Sequence, residues 1–317
     1  MSLKNDILSE LEVRRGTAVS GQELSEKYGV SRNAVWKAIN ALKKEGHSIA
    51  SSTRRGYVLE QESDVLSPEG IRTALPERLQ DMDIHVLEET GSTNNECKRL
   101  IAGGISGYTL VVADRQTAGK GRLGRSFFSP EGSIYMSLAF RTDAEIADAV
   151  KLTTAASVAV VKAVEALTPS RPQIKWVNDV YLDGKKICGI LTEGVTDIES
   201  GRVRHIVIGI GLNCGTEPFP PELRDVAASI DRGGVSRSRF VAAIAAELIV
   251  CIEGADFMDY YRSHSCVLGK KINCIRNGVA TPATALAIDD CGALIVRLED
   301  GSEQRLNTGE ISVRMRD

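Results

Sequence analysis

The stretch Gln116 to Pro130, Q-T-A-G-K-G-R-L-G-R-S-F-F-S-P, constrains this chain more than any other. Gly119, Gly121 and Gly124 free the backbone to bend close to a ligand and to aim several N–H groups at it, while Lys120, Arg122 and Arg125 add positive charge. The segment therefore predicts an anion-binding loop; the alternative is a glycine-rich hairpin whose arginines are merely solvated. Its glycine spacing coincides with G-x-G-x-x-G, but R-S-F-F-S-P-E-G follows where a dinucleotide-binding motif needs a helix. A Walker loop would need G-K-[ST] after four spacer residues, and none is present.

The sequence around this loop reads as an α/β body. A strand at Ile84 to Leu87 leads through E-T-G-S-T-N-N into a helix ending near Ala102, and the next strand is Thr109 to Ala113. Asp143 to Leu167, rich in Ala and Val and closed by Thr168-Pro169, predicts a long scaffold helix. Q-I-K-W-V-N-D-V-Y-L-D-G-K-K-I-C-G-I-L-T-E predicts two strands around an Asp183-Gly184 turn, with Lys175, Asn178, Asp179 and Lys186 among apolar neighbours. A lone strand lysine usually faces water at a sheet edge; two flanking an N-D pair suggest a site. A strand at Arg204 to Gly211 runs into Asn213, at a strand end where open sheets bind ligands. The four histidines form no ligand or triad pattern, and no Ser or Cys sits in a nucleophile elbow. Held anions without a nucleophile suit phosphoryl or nucleotidyl transfer, in which positioning and charge neutralisation carry the catalysis.

Residues 1–60 carry ten basic side chains against seven acidic ones, a net +3, on a chain whose overall charge is −3. A basic head on an acidic body points to a polyanion at the head alone. Leu3, Ile7 and Leu11 mark one helix, ended by Gly16; Ser20 with Glu23 has the capping-box form for a second, stopped by Gly29. Ser31 caps a third helix that buries Val35, Ala38, Ile39 and Leu42 and presents Asn33, Lys37, Asn40 and Lys44 on the other face. Strands at His47 to Ser51 and Tyr57 to Glu60 would hold Arg54 and Arg55 at the tip of a wing, giving winged helix-turn-helix order. The alternatives are a solvated basic face or a protein-docking winged helix.

Beyond a connecting helix, Arg239 to Tyr261, the chain alternates in short strands, Lys271 to Ile275, Thr284 to Ile288, Ala293 to Leu298 and Glu303 to Leu306, as in a small SH3-like β-barrel. No apolar run reaches the ~18 residues of a membrane helix, Lys162 and Glu247 breaking the longest, and the N-terminus lacks a signal-peptide pattern, so a cytoplasmic protein is expected. Seven scattered cysteines without C-x-x-C spacing suggest neither a disulfide framework nor a zinc site.

Five motifs, G-S-T-N at Gly91 to Asn94, Q-T-A-G-K-G-R-L-G-R at Gln116 to Arg125, K-W-V-N-D at Lys175 to Asp179, K-I-C-G-I-L at Lys186 to Leu191 and G-I-G-L-N at Gly209 to Asn213, carry a resemblance. The whole chain resembles the bifunctional biotin protein ligases that double as biotin operon repressors. The resemblance implies a winged helix-turn-helix head (1–62), a mixed-sheet, class II synthetase-like ligase body (63–266) and an SH3-like tail (267–317). It implies that Ser92, Thr93 and Gln116 hold the biotin ureido ring, that the backbone of Lys120, Gly121 and Arg122 holds the valerate carboxylate, and that Asn94, Gly119 and Gly189 also belong to the biotin site. Lys175 and Lys186, the catalytic cations with Arg122, would sit near that carboxylate and the α-phosphate, and Arg125, Phe127, Asn178 and Asn213 would serve ATP. No protein-bound metal is implied; Mg2+ would come with ATP. The partners implied are a biotin carboxyl carrier protein and operator DNA, met by Ser31, Arg32, Asn33, Lys37, Asn40, Lys44, Arg54 and Arg55, with a ligand-promoted homodimer. Lys120 stands for the family's usual Arg, Phe127 for Trp and Val177 for Pro, the last expected to loosen a rigid turn beside Asn178. A repressor without ligase turnover and a lipoate or octanoate ligase are the competing readings.

Overall fold

The computed structural model describes residues 2–52, 56–142, 149–197, 202–215, 218–276, 278–307 and 311–315. The chain divides into two compact units, Met1–Asp81 with Arg232–Ala243, and Met82–Asp231 with Ile244–Asp317.

In the first unit, α1 (Leu3–Val13), α2 (Gly21–Tyr28) and α3 (Arg32–Lys44) begin and end where their local signals place them. The Ser20 hydroxyl accepts from Glu23 N at 3.0 Å and the Ser31 hydroxyl from Ala34 N at 3.2 Å. Gly29 ends α2 at φ 64°, a left-handed cap that a side chain disfavours. The apolar faces of the three helices close one core around Ile7, Leu11, Leu24, Val35, Ile39 and Leu42, sealed by Ile49 and Leu59 of the wing. The wing strands are β1 (Ile49–Ser52) and β2 (Gly56–Leu59), two residues later and one residue earlier in their starts than expected. Gly56 permits this: a Cβ there would stand 2.2 Å from the Val19 carbonyl oxygen, and Val19 exchanges two 2.8 Å backbone bonds with Tyr57. Arg54 and Arg55 lie outside the described residues. Further along, Ser67 caps α4 (Pro68–Ala74), and the Asp64 carboxylate accepts from Arg237 N (2.7 Å), Arg237 Nε (3.0 Å) and Arg232 (2.8 Å), tying both segments of this unit together.

His47 precedes β1 instead of starting it and is buried. Burial pushes its imidazole below the ordinary 6.5; Glu45 opposes this, and Arg15 and Lys4 add to it. An unfolded imidazole takes up a proton below about 6.5, which the folded form resists, so stability is lost as pH falls through that value. The melting temperature of this unit should therefore drop between about pH 7 and about pH 5.5, more steeply in the wild type than in His47→Gln, as pH-resolved thermal melts of the full chain would show.

The second unit is built on a seven-stranded mixed sheet in the order β3-β4-β5-β9-β8-β7-β6. Its strands are β3 (Asp83–Thr90), β4 (Thr109–Gln116), β5 (Ile134–Arg141), β6 (Gln173–Lys175), β7 (Asp179–Leu182), β8 (Lys185–Thr196) and β9 (Val203–Leu212). Among the described strands of this sheet only β3 and β4 pair in parallel, joined by α5 (Thr93–Gly103). The interior strand β5 is not among the expected elements: seven of its eight residues are buried, so it shows no alternation of polar and apolar positions. The K-W-V-N-D region forms three strands instead of two, with Asp183 at φ 50° and Gly184 at φ 77° turning β7 into β8. Helix α6 (Ala149–Leu167) backs the sheet, and the expected residues 143–148 lie outside the described range.

The helix expected over 239–261 is two, α7 (Arg237–Ile252) and α8 (Met258–Ser263). Gly254 at φ 107° breaks it, and the Asp256 carboxylate then accepts from Met258 N at 3.2 Å. The tail is an SH3-like antiparallel sheet of β10 (Lys271–Arg276), β11 (Val279–Ile288), β12 (Leu294–Leu298), β13 (Glu303–Leu306) and β14 (Ile311–Met315), ordered β13-β12-β11-β10-β14. Strand β14, also unexpected, pairs with β10. Trp176 Nε1 donates to the Gly292 carbonyl at 2.9 Å, fastening the β11–β12 turn beside the K-W-V-N-D segment. Val177, where the turn is expected to loosen, is buried, and its carbonyl accepts from Ser157 and Tyr261, each at 3.3 Å. The Trp176–Val177 peptide is cis.

Candidate active site

The strand ends and the glycine loop enclose a cavity of about 630 Å³. Its walls bring together Arg122 and Arg125 from the loop, Lys175 at the end of β6, Asn178 and Asp179 from the following turn, Lys186 on β8 and Asn213 after β9. The β7–β8 register sets two of these: pairing Asp179 with Gly189 and Tyr181 with Lys186, across an irregularity at Val180, lets Lys186 reach back to Asp179. Their ion pair is 2.7 Å long. Lys175 Nζ donates to the Tyr181 hydroxyl at 3.2 Å and lies 5.0 Å from its ring centroid. Asn178 donates to the Ile190 carbonyl at 3.0 Å and accepts from Arg122 at 3.0 Å, so one amide ties the loop to the sheet. Burial pulls the Arg122 guanidinium below its ordinary range, with Asp179 opposing and Arg125 adding to the shift. Phe128, Phe219, Leu223 and Val226 form the apolar part of the wall.

The loop is a hairpin. Gly121 N donates to the Arg125 carbonyl at 2.7 Å and Phe127 N to the Gly119 carbonyl at 2.9 Å. Gly119 has no room for a side chain, since a Cβ would stand 2.5 Å from the Phe127 carbonyl oxygen. Lys120 turns outward, donating to Asn95 at 2.8 Å.

A second, much smaller cavity of about 30 Å³ adjoins the first, lined by Ser92, Thr93, Asn94, Gln116 and Lys120 with Gly189, Gly209 and Gly211. Phe127 lines both, its ring lying against Gly189 and Gly211, where added Cβ atoms would meet it at 2.9 and 2.5 Å. Gln116 accepts from Thr93 N at 2.9 Å and donates to Ser129 at 3.1 Å. Ser92 is buried at the start of α5 without capping it through its side chain. Among the described residues no cluster of three metal-ligating side chains occurs.

On the first unit, Ser31, Arg32, Asn33, Lys37 and Lys44 are exposed along α3, and Asn40 is half-buried. Trp36, which sequence reading passed over, is 54% exposed between them, four residues from both Arg32 and Asn40; its place in an outward stripe was the available signal. Also missed were Asp179 as the partner of Lys186, Ser129 behind Gln116, and Ser137 and Glu193 behind Asn94. Ser137 was legible only as the one serine in the run I-Y-M-S-L-A-F, and Glu193 closes the I-L-T-E stretch.

Three segments match known families: residues 4–58 the HTH domain, 87–213 the Biotin/lipoate A/B protein ligase family, and 267–314 the Biotin protein ligase C terminal domain. The bifunctional ligase/repressor BirA of Bacillus spizizenii is 34% identical over 314 residues, covering 95% of each chain. The chain belongs to the bifunctional ligase/repressor BirA family. BirA of Salmonella typhimurium is similar at 28% identity over 93% of each chain. The solved biotin protein ligase of Aquifex aeolicus, in complex with biotin and ATP, superimposes with a TM-score of 0.61 at 27% identity, over 74% of this chain and 99% of that one. In this BirA-family chain the 87–213 match spans the glycine loop, both lysines and Asn213, and the 4–58 match spans α1 to α3 and the wing strands.

Proposed function

We propose that the chain is a biotin protein ligase and a transcriptional repressor of biotin genes. The observation that carries this is the convergence of Arg122, Lys175 and Lys186 on one chamber that opens beside the polar pocket of Thr93, Asn94 and Gln116. A carboxylate and a triphosphate repel, and cations with N–H donors let them meet. The biotin carboxylate attacks the α-phosphorus of ATP, giving biotinyl-5′-adenylate and pyrophosphate. A lysine amine of a biotin carboxyl carrier protein then attacks the acyl carbon, and AMP leaves with the bond electrons. ATP enters as its Mg2+ complex, the ion neutralising phosphate charge. Ser92, Thr93, Asn94 and Gln116 hold the ureido ring, the loop backbone from Gly119 to Arg122 and Lys186 the carboxylate, Lys175 and Arg122 the α-phosphate, and Arg125, Phe127, Asn178 and Asn213 the nucleotide. Gly189 leaves the ligand room. Pyrophosphate release that requires both biotin and ATP, with biotin competed poorly by lipoate, tests the ligase. No release with intact biotin binding would leave a repressor alone.

The three domains, 1–62, 63–266 and 267–317, divide this work in the cytoplasm. The adenylate orders the glycine loop and favours a homodimer whose paired heads bind a two-fold operator. Lys37→Ala should weaken binding to DNA and lower its salt slope by about 1, with adenylation unchanged, in fluorescence-anisotropy titrations on duplexes selected from a random pool. An unchanged slope would remove Lys37 from the interface.

A further inference from the structure

The two lysines of the large cavity are partnered differently. Lys186 is ion-paired with the Asp179 carboxylate at 2.7 Å. Among the described residues Lys175 has no carboxylate partner; its ammonium donates instead to a neutral group, the Tyr181 hydroxyl, at 3.2 Å. The sheet sets this contact. Its register pairs Lys175 with Asp179 and Gln173 with Tyr181, so Lys175 and Tyr181 are diagonal neighbours on one face of β6 and β7. On its other side Tyr181 pairs with Lys186 of β8, so this tyrosine stands between the two lysines, and all three line the cavity.

A phenol can accept and donate at once. The Tyr181 oxygen accepts from Lys175, and among the described residues nothing accepts its proton. Burial first, then Asp179, push the phenol above its ordinary 10, with Lys186 opposing, so the group keeps that proton at neutral pH. Tyr181 is half-buried in the cavity wall, where a ligand's acceptor can reach it. One Lys175 N–H is spent on Tyr181, which fixes where the others point. The pair thus offers a point charge and a directed neutral donor side by side, a combination suited to neighbouring oxygens of one phosphoryl group.

We propose that Tyr181 belongs to the nucleotide site, its hydroxyl fixing the Lys175 ammonium and donating its own proton to a non-bridging oxygen of the ATP α-phosphate. This rests on the ligase reading of the cavity and adds a directed donor to the cations there. No proton is transferred. The phenol stays O–H, and its bond strengthens as the α-phosphorus passes from pyrophosphate to the biotin carboxylate and charge spreads over its equatorial oxygens. Loss of the hydroxyl should therefore fall on the rate of adenylate formation and leave biotin binding alone.

Tyr181→Phe, which keeps the ring and removes one oxygen, should form adenylate about 10- to 100-fold more slowly in single turnovers of the full chain, with its Kd for biotin unchanged. A ring that only filled space would, when altered, lower the rate with every nucleotide alike. The two diastereomers of adenosine 5′-O-(1-thiotriphosphate), each with sulfur, a weak acceptor, in place of one non-bridging α-oxygen, distinguish the two cases. Tyr181→Phe should shift the ratio of their rates by about tenfold, because the donor it lacks faces one of those oxygens and not the other. The cost of Lys175→Gln should also be smaller by about fivefold in the Tyr181→Phe background than in the wild type, since the hydroxyl acts partly through that ammonium. A Tyr181→Phe variant as fast as the wild type, a diastereomer ratio that stays at the wild-type value, or full additivity of the two substitutions overturns the proposal. Failure of the wild type itself to release pyrophosphate from ATP and biotin overturns the ligase reading beneath it.

Discussion

Replacing Lys186 with Gln is expected to slow adenylate formation by about 10²- to 10³-fold. The substitution does two things at once. It removes a cation from the chamber proposed to bring a carboxylate and a triphosphate together, and it leaves the Asp179 carboxylate, 2.7 Å from the lost ammonium, facing that chamber without its ion-pair partner. A fully buried ion left unpaired costs about 3–5 kcal/mol; the Asp179 and Lys186 side chains keep 22% and 30% of their exposure, so solvent screens part of this and the lower end of the range is expected. The double variant Lys186→Gln with Asp179→Asn removes the stranded charge and should regain about tenfold. Pyrophosphate release under single-turnover conditions measures both. A single variant as fast as wild type would make Lys186 a solvated hairpin residue. A double variant no faster than the single would show that Asp179 repels nothing.

For Arg122→Gly the larger effect should fall on retention, not on formation. The guanidinium hangs from a hairpin between Gly121 and Gly124 and is fixed at its tip by Asn178, 3.0 Å away. Lys175 and Lys186 remain in the variant to draw the reactants together, so the first step should survive in part. Biotinyl-5′-adenylate, a mixed anhydride, would lose both a charge-assisted bond and the loop's anchor to the sheet, and should dissociate about 10²-fold faster. Free adenylate acylates exposed amines, so biotin should appear on lysines of unrelated proteins added to the reaction. Stopped-flow dissociation traces that overlay the wild type, with no bystander labelling, would leave the glycine backbone as the sole restraint of the loop.

Much of this site could be read in the chain itself, because its signals act within a few residues. Ser20, Ser31 and Gly29 bound their helices through bonds and dihedrals that involve the next three or four positions. Gly119, Gly121 and Gly124 with their interleaved cations announced the loop in the same local way, and Lys175 and Lys186 stood out as charges among apolar strand residues. Where neighbours in space are distant in sequence, the reading stopped. Strand β5 carries no alternation because both its faces are covered, a fact about the sheet and not about Ile134 to Arg141. Strand β14 is defined by its pairing with β10, some forty residues earlier.

The sequence by itself determined the helices of the head, the glycine loop and the identity of the cations that line the cavity, since each depends on residue type and short-range geometry. Only the tertiary structure decided how the charges and the buried amides are partnered. Asp179 neutralises Lys186 through a register irregularity at Val180, and Val177 is held by Ser157 and Tyr261 from other elements. The Asn94 amide is held between the Ser137 hydroxyl and the Glu193 carboxylate, which lies 99 residues away. The physical reason is that a hydrogen bond or ion pair is made at about 3 Å whatever the chain separation, and that distance is fixed by how the sheet and helices pack.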